Sequence, residues 1–166
     1  MKRALIISGE GFEDLELFVP YYRLLEEGLQ VDIASPREMF KGKHGYEASA
    51  TVSLDAVNPD DYDILIVPGG KAPAAIREDK RVTGIAKAFF AGDKPVASIC
   101  HGPQVLIRAG VMKGRKSTSY RSVGGELKEA GAEYEDSEVV VDGNLVTSRQ
   151  PSDLPAFMRE IMKKLG

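Results

Sequence analysis

Short apolar runs of strand type alternate with segments of helical spacing along most of the chain. Strand-type runs occupy residues 4–8, 30–34, 62–67 and 96–99, and residues 139–141 and 145–148 form a pair around a turn at 142–144. Helical patterns occupy residues 14–27, 74–78, 81–90, 103–109, 125–130 and 154–165. Because parallel strands are joined through helices, this alternation predicts an α/β layer protein built around a mainly parallel sheet.

Three segments are less regular. In the first helix, Leu15, Val19, Tyr22 and Leu25 mark the apolar face, Pro20 predicts a bend or a later start, and Gly28 predicts the end. Residues 36–51 predict short edge strands or a hairpin around 42–46. Residues 116–120 form a weak strand signal.

Composition limits the class of protein. The chain has 166 residues, of which 43% are hydrophobic and 28% charged, so we expect one globular domain over residues 1–166. A net charge of −3 without aromatic and basic interleaving predicts no nucleic-acid partner. A single cysteine, an N-terminal apolar run too short for a signal peptide and no segment near membrane-span length predict a cytoplasmic protein with no membrane partner.

That one cysteine lies between a strand signal and a helix signal. Cys100 follows the apolar run 96–99, and Pro103 suits the first position of a helix. With Gly102 allowing a tight backbone, the segment predicts a nucleophile elbow with Cys in place of Ser. A helix N-terminus there favours a thiolate. The alternative is a cysteine that serves as a small buried hydrophobe, and the His-Gly-Pro sequence after it favours the elbow.

Two other strand ends belong to the same predicted edge of the sheet, because ligands bind beyond the carboxyl ends of parallel strands. They are residues 9–16 and 68–70. The amides of Gly69 and Gly70, with that of His101, predict an oxyanion hole, whereas a Gly-Gly pair alone is also typical of a plain turn. The phosphate-binding Gly-x-Gly-x-x-Gly spacing is absent.

Acidic residues crowd the start of the first helix, where they also complement the helix dipole. If the first strand neighbours strand 96–99, one of them lies close to the elbow. Lowering a cysteine pKa from about 8.5 to about 5 takes roughly 5 kcal/mol, more than a helix terminus supplies. We therefore expect Glu16 or Glu13 to donate a second hydrogen bond to the sulfur.

Five motifs in register support a resemblance over nearly the whole chain. They are Ala-Ser-Ile-Cys-His-Gly-Pro (97–103), Phe-Glu-Asp-Leu-Glu (12–16), Val-Pro-Gly-Gly (67–70), Gly-Lys-His-Gly-Tyr (42–46) and Thr-Ser-Arg (147–149). Together they resemble the PfpI family of class I glutamine amidotransferase-like proteins, which includes intracellular cysteine proteases, stress proteins and deglycases. The resemblance implies a flavodoxin-like three-layer sandwich with helices on both faces. It also implies Cys100 as nucleophile, Glu16 as its hydrogen-bond partner, and Gly70 and His101 as oxyanion donors.

The histidine after the cysteine is open to two readings. In the protease branch that the chain resembles, it is the proposed general base, and elsewhere in the family a small residue stands there. His101 is therefore either a base or a backbone donor whose ring lines the pocket. Members of the protease branch that the chain resembles tend to carry an acidic residue where this chain has Ala74. A Cys-His pair without an orienting acid loses tautomer control.

Three functions follow, in order of preference. The first is a deglycase or glyoxalase acting on dicarbonyls or early glycation adducts of proteins and peptides, with no cofactor. The second is a cysteine peptidase using Cys100 and His101. The third is a redox-sensing stress protein or chaperone in which Cys100 is oxidised.

The remaining candidates have secondary roles. Tyr120 matches family positions that border the pocket. Arg149 is expected to brace strand ends through carboxylates, and His44 has no neighbouring metal ligand in the sequence. The resemblance also implies a homo-oligomer, a dimer or a hexamer, with the pocket near a subunit boundary.

Overall fold

A seven-stranded sheet runs through the centre of the computed structural model, which describes residues 1–166. The strands are β1 (Arg3–Ile7), β2 (Gln30–Ser35), β3 (Met39–Lys41), β4 (Glu47–Ser49), β5 (Val52–Ser53), β6 (Ile64–Val67), β7 (Val96–Ile99), β8 (Lys116–Ser117), β9 (Glu133–Tyr134), β10 (Val140–Asp142) and β11 (Leu145–Ser148). The helices are α1 (Asp14–Glu26), α2 (Ala72–Ile76), α3 (Lys80–Ala91), α4 (Pro103–Arg108), α5 (Gly124–Glu129) and α6 (Leu154–Leu165). None of the helices is long and apolar enough to span a membrane.

The order of the main sheet is β10-β11-β7-β6-β1-β2-β5, and every pair is parallel except β10 with β11. Helices cover both faces. In β1, Ala4 and Ile6 belong to a hydrophobic cluster with side chains of α1 and α6, whereas Leu5 and Ile7 belong to a second cluster with side chains of α3, α4 and α5. This alternation is the two-residue period of a strand that is buried on both faces. The prediction of a flavodoxin-like three-layer α/β sandwich is confirmed.

β1 does not neighbour β7, the arrangement under which an acidic residue of the first helix was expected near the elbow. β6 lies between them and pairs with both. All three strands are mainly apolar, because each is buried on both faces. Apolar content therefore identifies central strands without giving their order.

The apolar face of α1 does not point at the core. Leu15, Val19 and Tyr22 are 53%, 37% and 62% exposed, and Leu25 is exposed as well. The helix buries Glu16, Leu17, Pro20 and Leu24 instead. It carries apolar side chains on two faces, and spacing alone does not tell which one meets the sheet. Pro20 lies inside the helix, and Gly28 follows its end with φ +89°.

Two small sheets lie outside the main one. β3 and β4 form the hairpin that was predicted around residues 42–46. The weak signal at 116–120 yields only β8, which pairs in parallel with β9. The residues after β8 pass behind the elbow, where the amide of Tyr120 donates to the carbonyl of Cys100 at 2.9 Å. The segment thus supports the elbow rather than extending the sheet.

Candidate active site

Cys100 lies in the turn between β7 and α4, as the elbow prediction requires. Its φ is +63°, a left-handed conformation that costs a non-glycine residue about 1–3 kcal/mol. The strained residue is therefore the cysteine and not Gly102, whose φ is −51°. Gly102 is needed for space, because a Cβ there would meet the carbonyl oxygen of Val67 and the Oγ of Ser98.

Two backbone amides lie close to the Cys100 side chain. Those of Gly70 and His101 lower the pKa of its thiol, so both predicted oxyanion donors are placed beside this cysteine. Gly70 has φ +85°, and a Cβ there would meet the amide of Glu13. The prediction of Gly69 as a third oxyanion donor was wrong, since its amide donates to Oε1 of Glu16 at 2.9 Å.

Glu16 reaches this site from the first turn of α1 and is completely buried. Burial raises its pKa to about 8, and the amide of Gly69 and the side chain of Cys100 offset that rise only in part. Its second oxygen, Oε2, is buried without a hydrogen-bond partner. A carboxyl group with this pKa is mostly protonated at neutral pH, and Oε2 is the oxygen that is free to carry the proton.

The pKa of Cys100 does not behave as the sequence suggested. Burial, followed by the charge of an ionised Glu16, raises it to about 12, although the amides of Gly70 and His101 lower it. The predicted lowering of the Cys100 pKa took account of the hydrogen-bond donors but not of burial, and Cys100 is only 5% exposed. Two buried acids side by side lose their protons in two steps. The first proton leaves the pair with a pKa of about 8, and the loss of the second is delayed to a pH of about 12.

His101 contacts the sulfur through its ring. Nδ1 lies 3.2 Å from Sγ of Cys100, and Nε2 lies 3.4 Å from Oγ of Ser122. The ring stacks on half-exposed Tyr120 with centroids 5.1 Å apart. Burial and the charge of Lys43 lower the pKa of His101. No carboxylate bonds to the ring, and Ala74 is an exposed residue of α2.

Of the two candidate carboxylates, only Glu16 affects the pKa of Cys100. Glu13 caps α1 instead, and its Oε2 accepts from the amide of Leu15 at 2.9 Å. Its Oε1 lies 3.1 Å from Nε2 of His44. The predicted site residue Glu13 thus ties the helix start to the hairpin loop. No group of three or more His, Cys, Asp or Glu side chains is arranged to hold a metal.

Lys43 is a residue that the sequence analysis missed. Its amide donates to the carbonyl of Phe12 at 2.8 Å, and Asp14 binds the amides of His44 and Tyr46 at 3.0 Å each. The loop of the hairpin is thereby held beside the start of α1. The charge of Lys43 lowers the pKa values of Cys100, Glu16 and His101. Its position inside the Gly-Lys-His-Gly-Tyr motif was the available signal.

Arg149 has the bracing role that was expected. Its guanidinium bonds to Asp153 at 3.0 Å and to Asp136 at 3.0 Å. Asp153 ends the 3-10 turn before α6, and Asp136 lies in the segment before β10. Arg149 therefore holds loops together at the end of β11.

A strained cysteine presented above the carboxyl edge of a parallel sheet defines an α/β protein of the nucleophile-elbow class. The DJ-1/PfpI family matches residues 2–164, and the chain belongs to this family. It is 52% identical over 164 residues to deglycase TK1284 of Thermococcus kodakarensis, covering 98% of this chain and 99% of the relative.

Two further comparisons show the range of the family. The chain is 42% identical over 167 residues to the "putative cysteine protease YraA" of Bacillus subtilis, covering 99% of this chain and 98% of the relative. The crystal structure of Drosophila melanogaster DJ-1beta superposes with a TM-score of 0.92 at 32% identity, covering 99% of this chain and 90% of that one. The relatives thus carry enzyme names of two classes on one fold.

Proposed function

We propose that this protein is a cysteine-dependent deglycase or glyoxalase that acts on reactive dicarbonyls and their early adducts with amines and thiols. The observation that carries the proposal is the juxtaposition of Cys100 with Glu16, a buried acid whose pKa is raised to about 8. The name of the Thermococcus kodakarensis relative, a deglycase, supports the same activity. We place the negative charge of the pair on the sulfur, since two amides face it and Oε2 of Glu16 is free to donate.

For a free dicarbonyl, the thiolate of Cys100 attacks the aldehyde carbon and a C–S bond forms. The amides of Gly70 and His101 hold the resulting alkoxide, and Glu16 gives it a proton. The Glu16 carboxylate then takes the proton from the former aldehyde carbon and returns it to the neighbouring carbon, while the hydroxyl proton of the hemithioacetal passes to the former ketone oxygen. The product of this isomerisation is a thioester of a 2-hydroxy acid. Water hydrolyses the thioester, releasing the acid and regenerating the thiol.

An early adduct of the dicarbonyl with an amine follows the same route after an initial step in which the amine is lost. The thiolate attacks the carbon that bears the hydroxyl and the amine, so a C–S bond forms as the C–N bond breaks. Nitrogen takes the electron pair and a proton and leaves as the free amine. The remaining hemithioacetal then follows the path described for the free dicarbonyl, and one water is consumed overall.

A peptidase is the second candidate, because the ring of His101 contacts the sulfur at 3.2 Å and one relative is named a putative cysteine protease. A peptidase must protonate an amine leaving group with an oriented imidazolium. The exposed Ala74 offers no acid for this purpose. The deglycase reading relies on Glu16 instead, and we therefore prefer it.

We also propose that the protein associates with itself through the exposed face of α1. Leu15 and Tyr22 on this face and Tyr46 on the hairpin loop are 53%, 62% and 69% exposed. Phe18 stacks on Tyr22 with centroids 6.1 Å apart and meets Tyr46 edge-on at 5.8 Å. A contiguous patch of this kind is typical of an interaction surface. Because α1 also carries Glu16, such an interface lies next to the site.

A side-by-side assay tests the enzymatic proposal. Purified protein is given methylglyoxal, the early methylglyoxal adduct of N-acetyl-lysine, and a fluorogenic peptide. We expect consumption of the first two, reduced to background in Cys100→Ala and by about 100-fold or more in Glu16→Gln. Peptide cleavage without either carbonyl activity would establish the peptidase instead.

A further inference from the structure

Ser122 is the one side chain that hydrogen-bonds to the far nitrogen of the His101 ring. It lies in the short 3-10 turn Arg121–Val123, and its Oγ is 3.4 Å from Nε2. The near nitrogen, Nδ1, lies 3.2 Å from Sγ of Cys100. The imidazole thus stands between a hydroxyl and a sulfur, with one contact at each nitrogen.

Stacking on Tyr120 does not by itself determine the orientation of the His101 ring. Tyr120 lies nearly parallel to His101, with an interplanar angle of 23°. Stacking fixes the plane of the ring, but a half-turn about the Cβ–Cγ bond keeps that plane and exchanges nitrogens for carbons. The two hydrogen bonds break this equivalence, because only one of the two orientations places a nitrogen at the sulfur and a nitrogen at Ser122.

The Ser122 hydroxyl also influences which nitrogen of the His101 ring carries the proton. A neutral imidazole carries one N–H, and beside a thiolate the favourable form has that N–H on Nδ1, donating to the sulfur. Nε2 is then an acceptor, and a serine hydroxyl can donate to it. Without such a donor, the form with the proton on Nε2 gains weight, and it presents a lone pair to the negative sulfur.

We propose that Ser122 is a positioning residue that holds His101 with its Nδ1–H directed at the Cys100 thiolate, in place of an acidic orienter. The inference rests on the proposed function in one respect, namely that Cys100 acts as a thiolate. The Nδ1–H of the His101 ring is then a further donor to the sulfur, beside the backbone amides of Gly70 and His101 and the carboxyl of Glu16. Ser122 stabilises the nucleophile without contacting the substrate.

The charged surroundings of the ring are compatible with a neutral imidazole. Lys43 on the hairpin loop disfavours a second positive charge, and Glu126 on α5 opposes this effect. In the thiolate form that the proposed function requires, the Cys100–Glu16 pair carries one negative charge on the other side of the ring. Since none of these groups hydrogen-bonds to Nε2, Ser122 is the side chain that holds this nitrogen.

Ring-nitrogen NMR of ¹⁵N-histidine protein tests the proposal directly, because the chain has only 2 histidines. His44→Asn assigns the signals. We expect neutral His101 to carry its proton on Nδ1 in the wild type and in Ser122→Thr, which keeps the hydroxyl. In Ser122→Ala the share with the proton on Nε2 should rise. An unchanged spectrum in Ser122→Ala, or a proton on Nε2 in the wild type, would overturn the proposal.

A second measurement uses the reactivity of the sulfur. The pH midpoint of iodoacetamide alkylation should rise by about half a pH unit in Ser122→Ala, the size of one modest hydrogen bond, and return in Ser122→Thr. A purely structural role would leave this midpoint unchanged in both variants, and that result would contradict the proposal. If the wild type fails to consume methylglyoxal while both the spectrum and the midpoint respond as expected, the deglycase proposal fails and the role of Ser122 is supported.

Discussion

At the scale of single residues, the site depends on a buried acid paired with a buried thiol. Glu16 has no exposed surface, and its pKa is raised to about 8 mainly by that burial. A carboxyl group is normally excluded from a core unless it is partnered or neutral. The arrangement therefore costs stability whenever Glu16 is ionised, and this cost has a predictable dependence on pH.

Replacing Glu16 with Gln should change that dependence. A folded-state pKa above the unfolded value of about 4.5 means that the stability from Glu16 is fully present below pH 4.5 and is lost as pH rises toward about 8. The shift corresponds to at most roughly 5 kcal/mol. Urea unfolding between about pH 5 and about pH 8 should thus show wild type losing stability relative to Glu16→Gln. Exposed Glu129→Gln is the control, and if both variants run parallel to wild type, Glu16 is not the buried titrating group.

At the scale of elements, local sequence patterns predicted the secondary structure correctly where only one arrangement was physically possible. The apolar run before Cys100 and Pro103 after it fixed the strand, the turn and the helix. The face of α1 was missed because the helix buries Glu16 and leaves Tyr22 exposed, the reverse of the hydrophobic pattern. Sequence spacing identifies such a helix but does not show that a carboxyl group is the side chain it contributes to the site.

The turn after β6 gives a prediction at this scale. A Cβ on Gly69 would lie 2.7 Å from Cβ of Cys100 and 2.8 Å from the amide of His101. Gly69→Ala should therefore displace the elbow, destabilise the protein by about 1–3 kcal/mol and reduce dicarbonyl turnover. Gly125→Ala on α5 is a matched control, since nothing lies within 4 Å of its added Cβ. Equal urea midpoints and equal turnover in the two variants would show that the turn tolerates a side chain.

At the scale of the whole molecule, the site is assembled from segments far apart in the chain. Glu16 comes from α1, Gly70 follows β6, Cys100 follows β7, and Lys43 lies in the hairpin loop. The motifs identified most of these residues, but their mutual geometry depends on strand order. With β6 between β1 and β7, Gly69 lies between Glu16 and Cys100 and its amide bonds to the carboxyl. This placement explains why Gly69 is not a free oxyanion donor.

Self-association is a testable property at this scale. A charge at the centre of the exposed α1 face should oppose burial of that face, because an unpaired charge is costly to desolvate. We expect Tyr22→Glu to shift the protein toward monomer in sedimentation velocity. Exposed Ala88→Glu on α3 introduces the same charge elsewhere and should leave the assembly unchanged. Identical behaviour of the two variants would place the contact on another surface.

Covalent capture of the substrate on the sulfur tests the central claim most directly. Glu16→Gln keeps a polar side chain of similar size but cannot exchange a carboxyl proton. The covalent adduct on Cys100 should therefore break down slowly in this variant and accumulate. After brief exposure to methylglyoxal and acid quenching, peptide mass spectrometry should find one methylglyoxal equivalent on the peptide that contains Cys100. That mass should be absent in Cys100→Ser. Catalysed dicarbonyl consumption that persists in Cys100→Ser, with no adduct on Cys100 in Glu16→Gln, would contradict the account.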